Sequence, residues 1–175
     1  MNESVLKDLG ISAASVFARG LRRYEEARML ALAEVGDDGR EYLLTTIAGA
    51  AWRDMKTTAA KDGVSIFLVS AFRSVARQTE IIRDKRHAGM GIDEILTLCA
   101  PPGFSEHHTG RAIDIACPDS PELEVDFENT EAFRWLTLHA HRFGFVLSYP
   151  RENTMGYQYE PWHWCFQDAA LRGGD

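Results

Sequence analysis

Apolar residues recur at three- to five-residue steps from Ser12 to Ala33, where Val16, Phe17, Leu21, Tyr24 and Leu30 would share one side of a helix. GDDG at 36–39 is a turn. A second helical pattern covers about Glu41 to Lys61, with Leu44, Ile47, Ala51, Met55 and Ala59 on one side. Its opening, EYLLTTI, fits a strand equally well, because periodicity over so few residues does not decide. VSIFLVS (64–70) is a short β-branched and aromatic run of the kind that forms a buried strand. Ser74 then has the character of an N-cap for a helix to about His87, stopped by Gly89 and Gly91.

IDEILTLC predicts a short helix, APPGFSEHHTG a loop, RAIDIAC a strand and PDSPELEVDFEN another loop. Asn129 or Thr130 caps a helix through Arg142, with Ala132, Phe133, Leu136 and Ala140 facing inward. FGFVLSYP predicts a strand, RENTMG a loop, and YQYEPWHWCF a final strand interrupted by its proline. Helices come first, then short strands with few βαβ crossovers. That order predicts an α+β fold: a small, largely antiparallel sheet with helices packed on it and a cleft at the sheet.

At 175 residues the chain is the size of one domain. The expected division is an N-terminal helical part (1–62), a core that holds the chemistry-bearing residues (63–167) and a tail (168–175). Composition is ordinary for a globular protein, 45% hydrophobic and 26% charged. The net charge of -7 comes without a basic stripe; the densest basic stretch, Arg83 to His87, reads as the polar face of a helix, which argues against nucleic-acid binding. No apolar run approaches the ~20 residues that span a bilayer. The N-terminus lacks the basic opening of a secretory signal, and Cys99, Cys117 and Cys165 are odd in number and set in apolar surroundings. Both features make a cytoplasmic location the expectation.

Candidate ligands lie in two places: His107, His108 and Asp114 in the first, Glu160 and His163 in the second. Two neutral imidazoles and a carboxylate leave a zinc ion one open position for water, which then ionises near neutral pH. A second carboxylate outside the ligand set can move that water's proton to a leaving amine. The same residues also admit a plainer reading. Asp114 in AIDI is either the polar face of a half-buried strand or a buried carboxylate needing a partner. A Pro-Trp-His-Trp cluster serves equally as aromatic core, with Trp162 and Trp164 either walling a cleft or filling space. His139 and His141, at i and i+2 of a helix, cannot share a face, and His87 suits a helix C-terminus.

The segment Ser105-Glu106-His107-His108-Thr109-Gly110-Arg111-Ala112-Ile113-Asp114 follows the pattern S-x-H-x-x-G-x-A-x-D, and Glu160 to His163 reads E-P-W-H. Together they resemble the VanY-type D-alanyl-D-alanine carboxypeptidases, a group related to VanX dipeptidases and L-alanyl-D-glutamate endopeptidases. SAFRSVARQ (70–78) is similar to that family's S-G-Y-R-S-x-x-x-Q, and the likeness runs in order over roughly residues 65 to 165. Phe72, Ala71 and Arg111 depart from the family pattern, which generally has tyrosine, glycine and often an apolar residue there.

The resemblance implies one zinc ion held by His107, Asp114 and His163, with Glu160 as the general base. It implies that Arg73 polarises the scissile carbonyl and that Gln78 and Ser105 hold substrate; Trp162 is a further candidate for the cleft wall. His108 falls on a variable motif position. Glu160 and His163 are three apart, so a regular strand would send them to opposite faces; the expectation is a bulge or turn at Pro161. The implied activity is removal of a C-terminal D-alanine from peptidoglycan-type stem peptides or their fragments. Alternatives are an L,D-carboxypeptidase that trims tetrapeptide stems, and a non-catalytic domain that binds wall peptides.

Overall fold

The computed structural model describes residues 3–168. Four strands form one antiparallel sheet in the order β3 (Phe67–Ser70), β4 (Ala112–Ala116), β6 (His163–Phe166), β5 (Phe145–Leu147). A separate antiparallel hairpin pairs β1 (Ala31–Val35) with β2 (Glu41–Leu44). The helices are α1 (Glu3–Asp8), α2 (Ala13–Ala18), α3 (Thr46–Lys61), α4 (Val75–His87), α5 (Ile92–Leu98) and α6 (Glu131–His139). The architecture is the expected α+β fold.

β4 is buried along its whole length, which is why AIDIA reads as a nearly continuous apolar run around one aspartate. The main core is made by Trp52, Met55 and Ala59 of α3, Leu136 of α6, and Leu68, Ile113 and Ile115 of the sheet. A second cluster joins α1 and α2 to α4 and α5 through Leu6, Leu9, Val16, Ile82 and Ile95. Glu34 ties the hairpin to both layers. Its carboxylate accepts from Trp52 Nε1 at 2.8 Å and from the Leu68 amide at 3.2 Å, and pairs with Lys56 at 3.0 Å. A buried amide on the outer side of the edge strand is thereby satisfied.

Several boundaries differ from the sequence reading. The expected helix from Ser12 to Ala33 stops at Ala18, and Gly20 turns the chain with φ 62°. Residues 22–28 carry too many charges to bury a helical face. They run as an irregular strap whose amides bond elsewhere: Tyr24 to the Gly103 carbonyl and Ala27 to that of His108, both at 2.8 Å. The strap leads into β1, so the N-terminal part is helices plus a hairpin rather than wholly helical. EYLL is a strand and the helix begins only at Thr46, so each alternative was right for part of that segment. The proposed tail lies outside the described residues apart from Asp168.

Candidate metal centre

The register of the sheet assembles half of the site. Asp114 on β4 stands opposite His163 on β6 and opposite Ser70 on β3. Asp114 Oδ1 lies 2.9 Å from His163 Nδ1, and Asp114 Oδ2 lies 3.2 Å from His107 Nε2. His107 comes from a 3-10 turn, Glu106–Thr109, capped by the Ser105 hydroxyl, which accepts from the His107 amide at 3.3 Å. Gly110 ends that turn at φ 63°; a Cβ there would come within 2.7 Å of Leu30, so the motif's glycine is needed both for the backbone and for the strap.

The last strand is shorter than expected: it starts only at His163, residues 157–160 are not strand, and the expected turn falls at Pro161. The His163 amide donates to the Glu160 carbonyl at 3.1 Å, closing a tight turn over 160–163 that puts both side chains on one side. Glu160 Oε2 lies 3.9 Å from His163 Nδ1. His107, Asp114 and His163 are 3%, 4% and 2% exposed, and their donor atoms lie within 4.8 Å of one another. Tetrahedral zinc with ligands at about 2.0–2.1 Å sets donors about 3.3–3.4 Å apart. The 2.9 and 3.2 Å separations run to the two different oxygens of Asp114, and the whole donor set spans no more than 4.8 Å, which small side-chain shifts bring to that spacing. The three residues fit a zinc ion.

Charge arrangement follows from burial and these contacts. Burial opposes ionisation of Asp114, but the neighbouring His107 and hydrogen bonds from both imidazoles hold its carboxyl far below the usual range. Burial, reinforced by the negative charge of Asp114, pushes Glu160 up to about 7. His107 is pushed down by burial, with the Arg73 charge adding to it. Burial would lower His163 as well, yet its hydrogen bonds to Asp114 and Glu106 carry it up to about 10 when no metal is present.

Arg73 sits just past β3. It donates to Gln78 Oε1 at 3.0 Å and to Ser70 Oγ at 2.8 Å, and lies 3.6 Å from Asp114 Oδ2. Gln78 is completely buried, and its amide nitrogen donates to the Ala100 carbonyl at 2.7 Å. Ser105 is buried as the turn cap. Neither lines the cavity; they stand behind Arg73 and His107. A cavity of about 520 Å³ opens over the centre, lined by the three ligand residues together with Arg73, Glu160 and Trp162. Trp162 is at once cavity wall and core, whereas Trp164 is core alone. The Ala71 and Phe72 departures act through backbone: the Ala71 carbonyl accepts from His107 Nδ1 at 2.6 Å, and the Phe72 amide donates to Leu43.

His108, at the variable motif position, does not line the cavity. It is wholly buried, its Nδ1 donating to the Arg73 carbonyl and its Nε2 accepting from the Gly103 amide at 3.0 Å. His139 packs at a tilt against Trp135, and His141 is exposed. Sequence reasoning missed two neighbours of His163: Glu106, whose Oε2 is 3.0 Å from Nε2, and Tyr149, stacked on the ring at 4.6 Å. An acidic residue inside the motif's first spacer was the only signal for Glu106.

The family model described as VanY: D-alanyl-D-alanine carboxypeptidase matches residues 41–169. A D-alanyl-D-alanine carboxypeptidase of Enterococcus faecalis is 33% identical over 124 residues, covering 65% of this chain and 44% of that protein. The chain spans less than half the length of such curated relatives. Among solved structures, the LdcB LD-carboxypeptidase, described for its peptidoglycan recognition, has a TM-score of 0.73 and 30% identity over 84% of this chain and 72% of its own. A vancomycin resistance D,D-pentapeptidase VanY variant in complex with Zn(II) has a TM-score of 0.65 and 27% identity, over 89% and 92%. The matched span takes in the whole sheet and every residue of the metal centre, and the chain belongs to the VanY D-alanyl-D-alanine carboxypeptidase family.

Proposed function

We propose that the protein is a zinc-dependent D,D-carboxypeptidase that hydrolyses the terminal D-alanine from peptidoglycan-type peptides, with the described residues acting as one metallopeptidase unit. The observation that carries this reading is Glu160: a buried carboxylate beside the three-residue donor set yet outside it. Likeness to VanYB, solved in complex with D-alanine-D-alanine, supports the choice of substrate.

Zinc, when bound, supplies Lewis acidity and a water that ionises near neutral pH. Glu160 then takes the proton from that water and returns it to the departing amine. Burial raises the proton affinity of this carboxyl, up to about 7 in the metal-free protein, which suits it to carry a proton in both directions. Arg73, clamped by Ser70 and Gln78, aims its guanidinium at the oxygen where charge develops; such a donor is worth roughly 3 kcal/mol. Gln78 and Ser105 serve the substrate through the residues they hold, and Trp162 walls its binding space. Three free thiols suit a reducing compartment. No helix among the described residues is long and apolar enough to cross a membrane.

The test is to incubate zinc-loaded protein with a pentapeptide stem ending in D-alanyl-D-alanine and with the matching tetrapeptide, then weigh the products. Loss of one alanine from the pentapeptide is expected. The likeness to LdcB gives the rival outcome a specific form: loss only from the tetrapeptide would make the enzyme an L,D-carboxypeptidase. Hydrolysis of neither would leave a binding domain.

A further inference from the structure

The two histidine ligands are anchored from behind by different groups. His107 Nδ1 meets a backbone carbonyl, that of Ala71 at 2.6 Å, whereas His163 Nε2 meets a carboxylate, Glu106 Oε2 at 3.0 Å. We propose that Glu106 is a positioning residue for the metal centre: by accepting the Nε2–H of His163 it reserves Nδ1 as the lone pair that faces the metal.

A neutral imidazole carries one proton, and the acceptor it meets decides which nitrogen keeps it. His163 Nδ1 points into the donor set, 2.9 Å from Asp114 and 3.9 Å from Glu160, so Nε2 is the nitrogen that must hold the proton. Packing cannot make that choice alone. Tyr149 lies flat on one side of the ring at 27°, and His107 meets it edge-on at 80°. Those contacts fix the ring plane, but a half-turn about Cβ–Cγ keeps the plane and exchanges nitrogens for carbons. Only a directional contact tells the two orientations apart: Asp114 offers one at Nδ1, which a bound metal would claim, and Glu106 offers the one that persists at Nε2. In the flipped ring, carbon would face both the carboxylate and the metal.

Glu106 is itself held. Its carbonyl accepts from Thr109 Oγ1 at 2.6 Å, which ties it into the turn. It neither belongs to the donor set nor lines the cavity. One turn therefore provides a ligand directly, His107, and orients another through the residue before it.

This inference rests on the zinc reading of His107, Asp114 and His163, and not on which peptide is cut. Its test is zinc affinity by chelator competition for the full chain, with ¹⁵N NMR of the His163 ring in the zinc-loaded protein. Glu106→Ala should weaken zinc binding by roughly 10- to 100-fold and shift the ¹⁵N signal of the His163 Nε2–H, which loses its carboxylate acceptor. Glu106→Gln keeps an acceptor oxygen and should recover most of that loss, as well as the signal of a hydrogen-bonded Nε2–H. Unchanged zinc affinity in Glu106→Ala, or equal loss in both variants, would overturn the proposal. If circular dichroism shows that Glu106→Ala does not fold, Glu106→Met, similar in size but without an acceptor, must show the same loss. Absence of peptide hydrolysis in the wild type would sink the carboxypeptidase reading while leaving these readouts intact.

Discussion

Asp114 and His163 face each other on paired strands, whereas His107 and Glu160 hang from turns. The strand-borne pair is fixed by the β4–β6 ladder and cannot shift without moving the sheet. The turn-borne pair is held by a few local hydrogen bonds: His107 by the Ala71 carbonyl and the Ser105 cap, Glu160 by its amide to Tyr149 and by the turn closed at His163. Foldedness and chemistry are thus divided between two kinds of support. Changes on the strands should damage both, and changes on the turns should damage chemistry alone.

The sharpest way to break this contrast is to remove one ligand of each kind. Asp114→Ala should abolish zinc binding and also destabilise the metal-free protein by about 3–5 kcal/mol, because buried charge loses its partner. His107→Ala should abolish zinc binding with a smaller loss in denaturant unfolding. Equal stability losses in the two variants would contradict the division.

On the turn side, Glu160→Gln should keep zinc, seen by metal analysis, while kcat falls about 10²–10⁴-fold. Arg73→Ala should lower kcat by about 10²–10³-fold, again with zinc retained.

The Glu160 carboxyl should titrate near 7 in zinc-free protein followed by ¹³C NMR, well above the ordinary ~4.3. Bound zinc, a cation, must pull that midpoint down. A group raised in the folded state adds stability at low pH that disappears as pH rises through about 7, so its share of metal-free stability should fall over that range. A zinc-free midpoint near 4 would remove the physical basis for a tuned base.

The smallest effect on the centre is expected from His108→Ala. It should leave zinc affinity unchanged and cost roughly 1–3 kcal/mol of stability, by stranding the Gly103 amide and the Arg73 carbonyl. A large loss of zinc affinity there would show that the adjacent histidines act together after all.

Much of the centre is legible in the chain's local patterns. Glu160 and His163 can be brought to one side only if the chain turns at Pro161, because proline cannot join the ladder. The buried aspartate in AIDI demands partners, and two imidazoles answer it. Less can be read where the deciding contact is distant in sequence. Glu106 meets His163 across 57 positions, and Gln78 spends its amide on Arg73 and Ala100 rather than on the cavity. The strap at 22–28 falls within a stretch of helical spacing, yet its Tyr24 and Ala27 amides donate to the Gly103 and His108 carbonyls, which local periodicity cannot sense.

By itself the sequence determined the α+β class and, through its resemblance to a known family, pointed to His107, Asp114, Glu160 and His163, because alternation and motif spacing are written in neighbouring positions. Only the tertiary structure decided that His108 packs into the interior and that Glu106 stands behind His163. Those outcomes depend on hydrogen bonds between segments that meet only once the sheet has closed.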